Sequence, residues 1–317
     1  PTVEWSSIKQ DLHRRDFTIN TLAIYLNPTH WGEMLDFFGG KEDLENGVIR
    51  VLHSLSFVDD PTRILRAARF ETRLDFHLDP RSEALIAEAL PLLDRVTGGR
   101  IRHEMELIFK EVRPEAALER LQALGALQQI DPVLTCEESV RTLFARQREE
   151  LNSGFWELDE ADIRRLHWLL FLSPFDKPTL KRIAVRLMMS GELRECLLAL
   201  ADLRALLPKL DRLRKPGEIA GHLSPFASPL VAAAWLLAEA PATREKLLRY
   251  WTEWRHIKPA LTGDDLKKMG LPPGPLYKEI LAALRTARLN GTITTREGEE
   301  TLARELYQAP EADSQEA

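Results

Sequence analysis

Asp59-Asp60-Pro61-Thr62-Arg63-Ile64-Leu65-Arg66-Ala67-Ala68-Arg69-Phe70 is the stretch on which the reading of this chain turns. Pro61 directly after Asp60 predicts a helix start, with Asp60 as the capping acid and Pro61 in the first turn. Asp60 and Arg63 are three residues apart, so their side chains are expected to meet on one face of that turn. A carboxylate beside a guanidinium makes a planar edge, acceptors at one end and donors at the other, that could read a nucleobase. Arg66 and Arg69 add positive charge, while Ile64, Leu65, Ala68 and Phe70 supply an apolar side for packing. Alone, the stretch also fits an ordinary capped amphipathic helix whose Arg63 offsets the cap. The neighbouring motifs decide.

Upstream, the chain reads Asp11-Leu12-His13-Arg14-Arg15-Asp16-Phe17-Thr18-Ile19-Asn20-Thr21. Arginine forks match phosphate oxygens, and Asp16 and Asn20 can bond sugar hydroxyls, so the block suits a triphosphate and a ribose. A helix with a solvated charged turn is the plain alternative. Short strands are predicted at 23–26 and 33–38, around the turn Asn27-Pro28-Thr29-His30. The second runs into Asp36-Phe37-Phe38-Gly39-Gly40-Lys41-Glu42-Asp43-Leu44 and then Gly47-Val48-Ile49-Arg50. Gly39 and Gly40 permit a tight turn and close backbone approach, and Asp43 can brace the following loop. These features read as architectural first.

Downstream of Asp59 the three- and four-residue apolar spacing predicts helices at 80–93 and 100–110, then one from 116 closed by Gly125. Arg100 and Glu104 are four apart and are expected to brace the central helix together. Residues 131–160 are mixed and acidic, which suggests a boundary, and helices follow at 161–172, 178–190, 192–207 and 229–239. Lys181, Arg182 and Arg186, and then Lys209, Arg212, Arg214 and Lys215, are candidates for RNA backbone contact, with a solvated face as the commoner meaning of such clusters. Trp251 and Trp254 read as core rather than stacking platforms. Residues 261–275 read as a helix, a glycine- and proline-rich turn and a second helix, and backbone amides at such a helix start can hold a phosphate. Residues 309–317 read as a disordered acidic tail.

At 317 residues the chain is long enough for two or more domains. Its 44% hydrophobic and 29% charged content is that of a soluble globular protein, and its formal net charge of -6 argues against charge-driven nucleic-acid binding over the whole surface. Cys136 and Cys196 have neither pairing nor metal spacing and read as buried thiols in a reducing compartment. No apolar run is long enough to span a bilayer and no signal peptide is visible, so the expectation is a cytoplasmic protein without membrane contact. The chain begins Pro-Thr-Val-Glu-Trp, without methionine, in what reads as the middle of a domain, and a fragment or processed piece is expected.

Laid out in this order, the motifs resemble the class II tRNA nucleotidyltransferase and bacterial poly(A) polymerase family. The resemblance rests on the Arg14–Asn20 block, on Asp36 through Gly39, Gly40 and Asp43 to Arg50, on Asp59-Asp60-Pro61-Thr62-Arg63 and its continuation to Phe70, and on Arg100 with Glu104. It covers residues 1 to about 130 well. It implies a mainly α fold: the C-terminal part of a mixed α/β head at 1–55, a helical neck with the base template at 56–130, a body at 131–220, an RNA-binding tail at 221–308 and the disordered end at 309–317. By resemblance, Arg14, Arg15, Asp16 and Asn20 contact sugar and triphosphate, Asp60 and Arg63 form the base-reading pair with Arg66 and Arg69 beside them, and Asp36, Gly39, Gly40, Asp43, Arg100 and Glu104 support the site. Asp59 stands where the family usually has Glu. Cytosine and adenine present an amino donor beside a ring-nitrogen acceptor, complementing Asp60 and Arg63, whereas guanine and uracil place a carbonyl oxygen opposite Asp60.

The family is similar to two-metal phosphoryl transferases, which hold Mg²⁺ between paired aspartates in Asp-x-Asp. No Asp-x-Asp occurs in this chain, so the metal ligands are expected upstream of Pro1, with no catalytic or metal-binding residue here and poor activity for the chain alone. The implied function is template-independent addition of CMP or AMP to the 3′ end of tRNA, with ATP and CTP as substrates. The partners are the tRNA acceptor end and the upstream head segment. Poly(A) polymerase chemistry and a non-catalytic RNA-binding module are the alternatives.

Overall fold

The computed structural model describes residues 7–152 and 154–313, and the chain is mainly helical with four two-residue strands among the described residues. It forms two compact units: the described residues up to Glu150 with His167–Leu198, and Leu151–Leu166 with Ala199 onward.

In the first unit Ala23–Ile24 pairs antiparallel with Met34–Leu35, in the register Ala23↔Leu35 and Ile24↔Met34. The ladder is shorter than the 23–26 and 33–38 predicted. The connection coils into a single 3₁₀ turn at Pro28–His30, and with Leu26 and Trp31 72% and 70% exposed no apolar face rewards further pairing. Val48–Ile49 pairs parallel with His77–Leu78. Phe17 bridges Val51, and the amide of Thr18 donates to the carbonyl of Arg50 at 2.9 Å. These bonds stitch the arginine block to the strand ahead of the neck.

The organising helix is Arg63–Leu74. It buries Ile64, Leu65, Ala67 and Ala68 completely, and its two small residues let the Gly98–Ile108 and Pro114–Ala123 helices pack close. It starts later than the sequence suggests. A short helix, Ser56–Asp59, ends at Asp60, whose backbone is extended (φ -143°, ψ 96°). The Asp60 carboxylate accepts from the amide of Thr62 at 3.1 Å and from its hydroxyl at 2.7 Å. That is an Asx turn rather than a helix cap: Pro61 offers no amide, so Asp60 takes the next one along.

The helix predicted at 80–93 is broken into Pro80–Ala84, Ile86–Ala89 and a 3₁₀ segment, Leu90–Arg95, because Pro91 has no amide to donate. The segment expected to be mixed at 131–160 contains the helix Glu138–Glu150. No disulfide forms among the described residues, and burial pushes the Cys136 thiol up to about 12.

The second unit is built on tryptophans. The rings of Trp235 and Trp251 lie 5.5 and 5.3 Å from that of Trp156, and Trp251 donates its indole N–H to the carbonyl of Phe155 at 2.9 Å. Trp251 and Trp254 are buried, as expected of core residues. A separate cluster of Leu261, Leu266, Leu271, Ile280, Leu284 and Ala303 closes the C-terminal end. Fully buried Glu299 anchors it by accepting from the amides of Ala260 and Leu261 and from Arg288.

The helix start expected to hold phosphate, at Gly263–Lys268, is closed by its own capping box between Thr262 and Asp265, and the Asp265 carboxylate there repels an anion. The final helix, Arg296–Asp313, runs through the first half of the expected disordered tail, whose residues 314–317 lie outside the described residues. Among the described residues no single helix is long and apolar enough to cross a membrane.

Glu71 shows how the central helix is tied to its surroundings. Its carboxylate is buried, accepts from the Leu78 amide at 2.8 Å, and pairs with Arg120 at 2.7 Å, which also reaches Glu83. Glu71→Ala strands both the amide and the half-buried guanidinium and is expected to cost about 3 kcal/mol, read as a lowered urea midpoint with an unchanged slope. A loss within experimental error would mean that the clamp carries no stability.

Candidate functional site

Six of the eight predicted nucleotide residues come together. Arg15, Asp16, Asn20, Asp60, Arg63 and Arg66 line one open cleft of about 460 Å³, with Phe70 as its seventh wall. The cleft exists because the arginine block, held to Arg50 and Val51, is pulled onto the exposed flank of the Arg63–Leu74 helix.

Asp16 does the pulling. Its carboxylate is buried, and one oxygen accepts from the Phe17 amide at 3.0 Å and from Asn20 at 2.8 Å. The other takes the Arg66 guanidinium through Nε at 2.8 Å and Nη2 at 2.5 Å. Burial alone would raise this carboxyl; the Asn20 amide and the Arg66 charge outweigh it and hold the group below the usual carboxylate range. Burial likewise works against Arg66, but Asp16 and Glu104, at 3.5 Å, keep it more firmly protonated than usual. Both oxygens of Asp16 carry two donors, which fills a carboxylate's usual acceptor capacity. Asp16 is therefore a clamp for Asn20 and Arg66.

Asp60 and Arg63 line the same cleft but do not pair with each other, contrary to the sequence expectation. The Asx turn points the Asp60 carboxylate at Arg100, whose Nη2 donates to both oxygens at 2.9 Å. Arg63 donates to the Ser56 hydroxyl at 2.5 Å, to the Ser56 carbonyl at 3.3 Å and to the Arg14 carbonyl at 2.8 Å. Each half of the presumed edge is thus held from behind by a different element. Asp60 Oδ1 is filled by Thr62 and Arg100, whereas Oδ2 takes only Arg100 and keeps acceptor capacity.

Arg100 and Glu104 do not brace each other either. Arg100 holds Asp60, while buried Glu104 faces Arg66 and Arg69. One helical turn separates the two side chains, and each meets its opposite charge on a different element. Arg14 is 80% exposed, pairs with Asp11 and offers the cleft only its carbonyl, which holds Arg63. Arg69 lies behind the cleft, buried between Glu104 and Glu111.

The residues expected to support the site do so by hydrogen bonding. Asp36 accepts from the amides of Phe38, Gly40 and Lys41. Burial works against its charge, but those amides hold its carboxyl low. Gly39 sits at φ +74°, and a Cβ on Gly40 would collide with the Thr18 carbonyl, so the loop lies directly against the arginine block. Asp43 accepts from the Thr18 hydroxyl at 2.6 Å and pairs with Arg50 at 3.1 Å.

Sequence reasoning missed Phe70, assigned only to packing. Its ring meets Phe17 edge-on at 5.8 Å and carries the guanidinium groups of Arg66 and Arg69 at 5.6 and 4.8 Å. An aromatic one turn after an arginine that faces a cleft was the available signal. Of the basic residues proposed for RNA contact, Arg182 pairs with Asp131 at 2.9 Å and Arg186 donates to the carbonyls of Leu93 and Val96, so both are committed to the fold.

The chain is similar to known proteins along nearly its whole length. Residues 2–50 match the Poly A polymerase head domain, and residues 75–137 match the probable RNA- and SrmB-binding site of polymerase A. An A-adding tRNA nucleotidyltransferase of Geobacter sulfurreducens is 35% identical across 96% of this chain, which spans 36% of that protein. An A-adding tRNA nucleotidyltransferase of Halalkalibacterium halodurans is 32% identical across 97% of this chain and 70% of its own length. Among solved structures, the Thermotoga maritima CCA-adding enzyme complexed with tRNA superposes with a TM-score of 0.78 at 30% identity, covering 95% of this chain and 74% of that one. A CCA-adding enzyme in complex with ATP superposes with a TM-score of 0.80 at 30% identity, covering 95% and 73%.

The clamp can be tested by titration. A carboxyl held low in the folded chain contributes stability that is complete above its unfolded value and is lost as the pH falls through its folded one. Asp16→Asn is expected to be less stable than the wild type at pH 7 and to converge with it below about pH 4 in urea unfolding. Parallel pH profiles for the two proteins would refute the clamp.

Proposed function

This chain belongs to the tRNA nucleotidyltransferase family, and from that premise we propose that it carries the nucleotide-selecting cleft of an enzyme adding CMP or AMP to the 3′ end of tRNA without a nucleic-acid template. The observation that carries the reading is the placement of Asp60 and Arg63 on one cleft with Arg15, Asn20 and Arg66. Asp60 Oδ2 accepts the exocyclic amino group of cytosine or adenine, and Arg63 donates to the neighbouring ring nitrogen. A guanine or uracil carbonyl would face the carboxylate instead, setting an acceptor against an acceptor. Asn20 is the sugar contact in this reading, with Asp16 setting its amide, and Arg15 meets the triphosphate, while Arg14 serves through the carbonyl that holds Arg63.

In the reaction the terminal 3′ hydroxyl of the RNA attacks the α-phosphorus. A new P–O bond forms, the bond to the β-phosphate oxygen breaks, and pyrophosphate leaves. The chemistry calls for Mg²⁺. Among the described residues no three His, Cys, Asp or Glu converge as a metal site, so no ligand for it is assigned here. ATP and CTP as substrates, tRNA as partner and a cytoplasmic location belong to the same proposal.

The test is extension of an end-labelled tRNA ending in CC by the intact protein, with Mg²⁺ and each nucleoside triphosphate separately. Growth by A and not by G is expected. Arg63→Ala should narrow the preference for ATP over GTP by about tenfold or more. An unchanged preference in that variant would sink the base-reading role.

A further inference from the structure

A second cleft lies behind the first. It measures about 500 Å³ and is lined by Arg69, Thr72, Arg73, Leu107, Lys110, Glu111, Val112 and Arg113. Four cations and one carboxylate line it, with Glu104 and Glu115 behind two of the cations, on a chain whose net charge is -6. Arg73 and Lys110 are exposed and make no ion pair with any described residue, and Arg113 reaches only Glu115, at 3.8 Å.

The floor of this cleft is under-satisfied. The Arg69 side chain is 8% exposed, its contacts to Glu104 and Glu111 are long at 3.9 and 3.4 Å, and its Nε has no hydrogen-bond partner. Glu104 Oε2 lacks one as well. A guanidinium taken out of water with loose partners costs stability unless something else meets its charge. Its Glu104 contact also ties the floor to Arg66 and Asp16, which fixes this cleft relative to the nucleotide cleft.

We propose that this rear cleft is a docking site for a phosphodiester of the RNA substrate. The inference rests on the reading of the chain as an RNA-extending enzyme and adds a place and residues for part of the RNA backbone. A polyanion suits the site better than a small phosphate does. The cations Arg73, Lys110 and Arg113 are spread along an open rim, while Leu107 and the 81% exposed Val112 offer apolar contact of the kind a ribose edge makes. The contact is sequence-independent, as neutralisation of backbone charge by point cations requires.

The experiment is fluorescence anisotropy of a labelled RNA hairpin with a 3′ CC overhang, titrated with the full-length protein at several KCl concentrations. The variant is the double charge reversal Arg73→Glu/Lys110→Glu, with thermal unfolding as the folding control. Loss of two phosphate contacts is expected to weaken binding about tenfold or more and to reduce the slope of log affinity against log salt by about 1.5. Equal affinity and slope in a folded variant would overturn the proposal. If the variant unfolds, the milder Arg73→Gln/Lys110→Gln must show the same change in slope.

A second arm adds inorganic phosphate or pyrophosphate at constant ionic strength. Displacement of RNA from the wild type by either anion, with the variant unchanged in RNA affinity, would assign the cleft to the small anion and overturn RNA docking. Binding is scored without extension. A protein that binds RNA through this cleft and adds no nucleotide would therefore keep this inference and refute the function proposed above.

Discussion

Everything at the nucleotide cleft depends on one ion pair, Arg66 with Asp16. It joins two segments that no strand or helix connects directly, and it does so through two bonds to one carboxylate oxygen, at 2.8 and 2.5 Å. Without it the arginine block would be held to the neck helix by the Phe17–Phe70 ring contact and by Arg63, which donates to the carbonyl of Arg14. A half-buried pair of this kind succeeds only when the remaining donors and acceptors are matched, and here they are: Asn20 and the Phe17 amide take one oxygen of Asp16, and Glu104 meets the far side of Arg66. The carboxylates and guanidinium groups alternate from the cleft wall to the back of the helix, so each charge is flanked by its opposite.

The same logic separates reading from holding. Ser56 and Arg14 hold Arg63, and Arg100 and Thr62 hold Asp60. A pair engaged with each other would present fewer free atoms to a base and would have to break before binding. Keeping them apart, each fixed from behind, leaves the cleft side open and pre-organised.

Much of this was legible in the sequence, and the misses have a common cause. Helical periodicity and the order of the charged blocks identify the helices and most of the cleft residues, because apolar spacing and motif order are local properties of the chain. What the sequence could not supply was partner choice. Asp60 with Arg63, and Arg100 with Glu104, sit at the right spacing to pair along a helix, yet each finds a better partner across space. Arg69 sits one turn on from Arg66 and shares Glu104 with it, but the offset around the helix turns its guanidinium away from the cleft, where it also meets Glu111. The Asx turn at Asp60 escaped notice for a related reason. Asp-Pro reads equally well as a cap or as a turn, and Thr62 decides between them through its amide and hydroxyl. Beyond 131 the same holds for Arg182 and Arg186, which Asp131 and two backbone carbonyls commit to the fold.

The reach of the Asp16–Arg66 pair also sets a timetable for the newly made chain. Asp16 leaves the ribosome 50 residues ahead of its partner, which at about 5–20 residues per second is an interval of several seconds. During that interval its carboxylate lacks the guanidinium that later satisfies one of its oxygens. The neck helix that supplies Arg66 in turn gains its packing only when the segments at Gly98–Ile108 and Pro114–Ala123 have followed. The nucleotide cleft is therefore completed late in the maturation of this unit, after the helices behind it have packed.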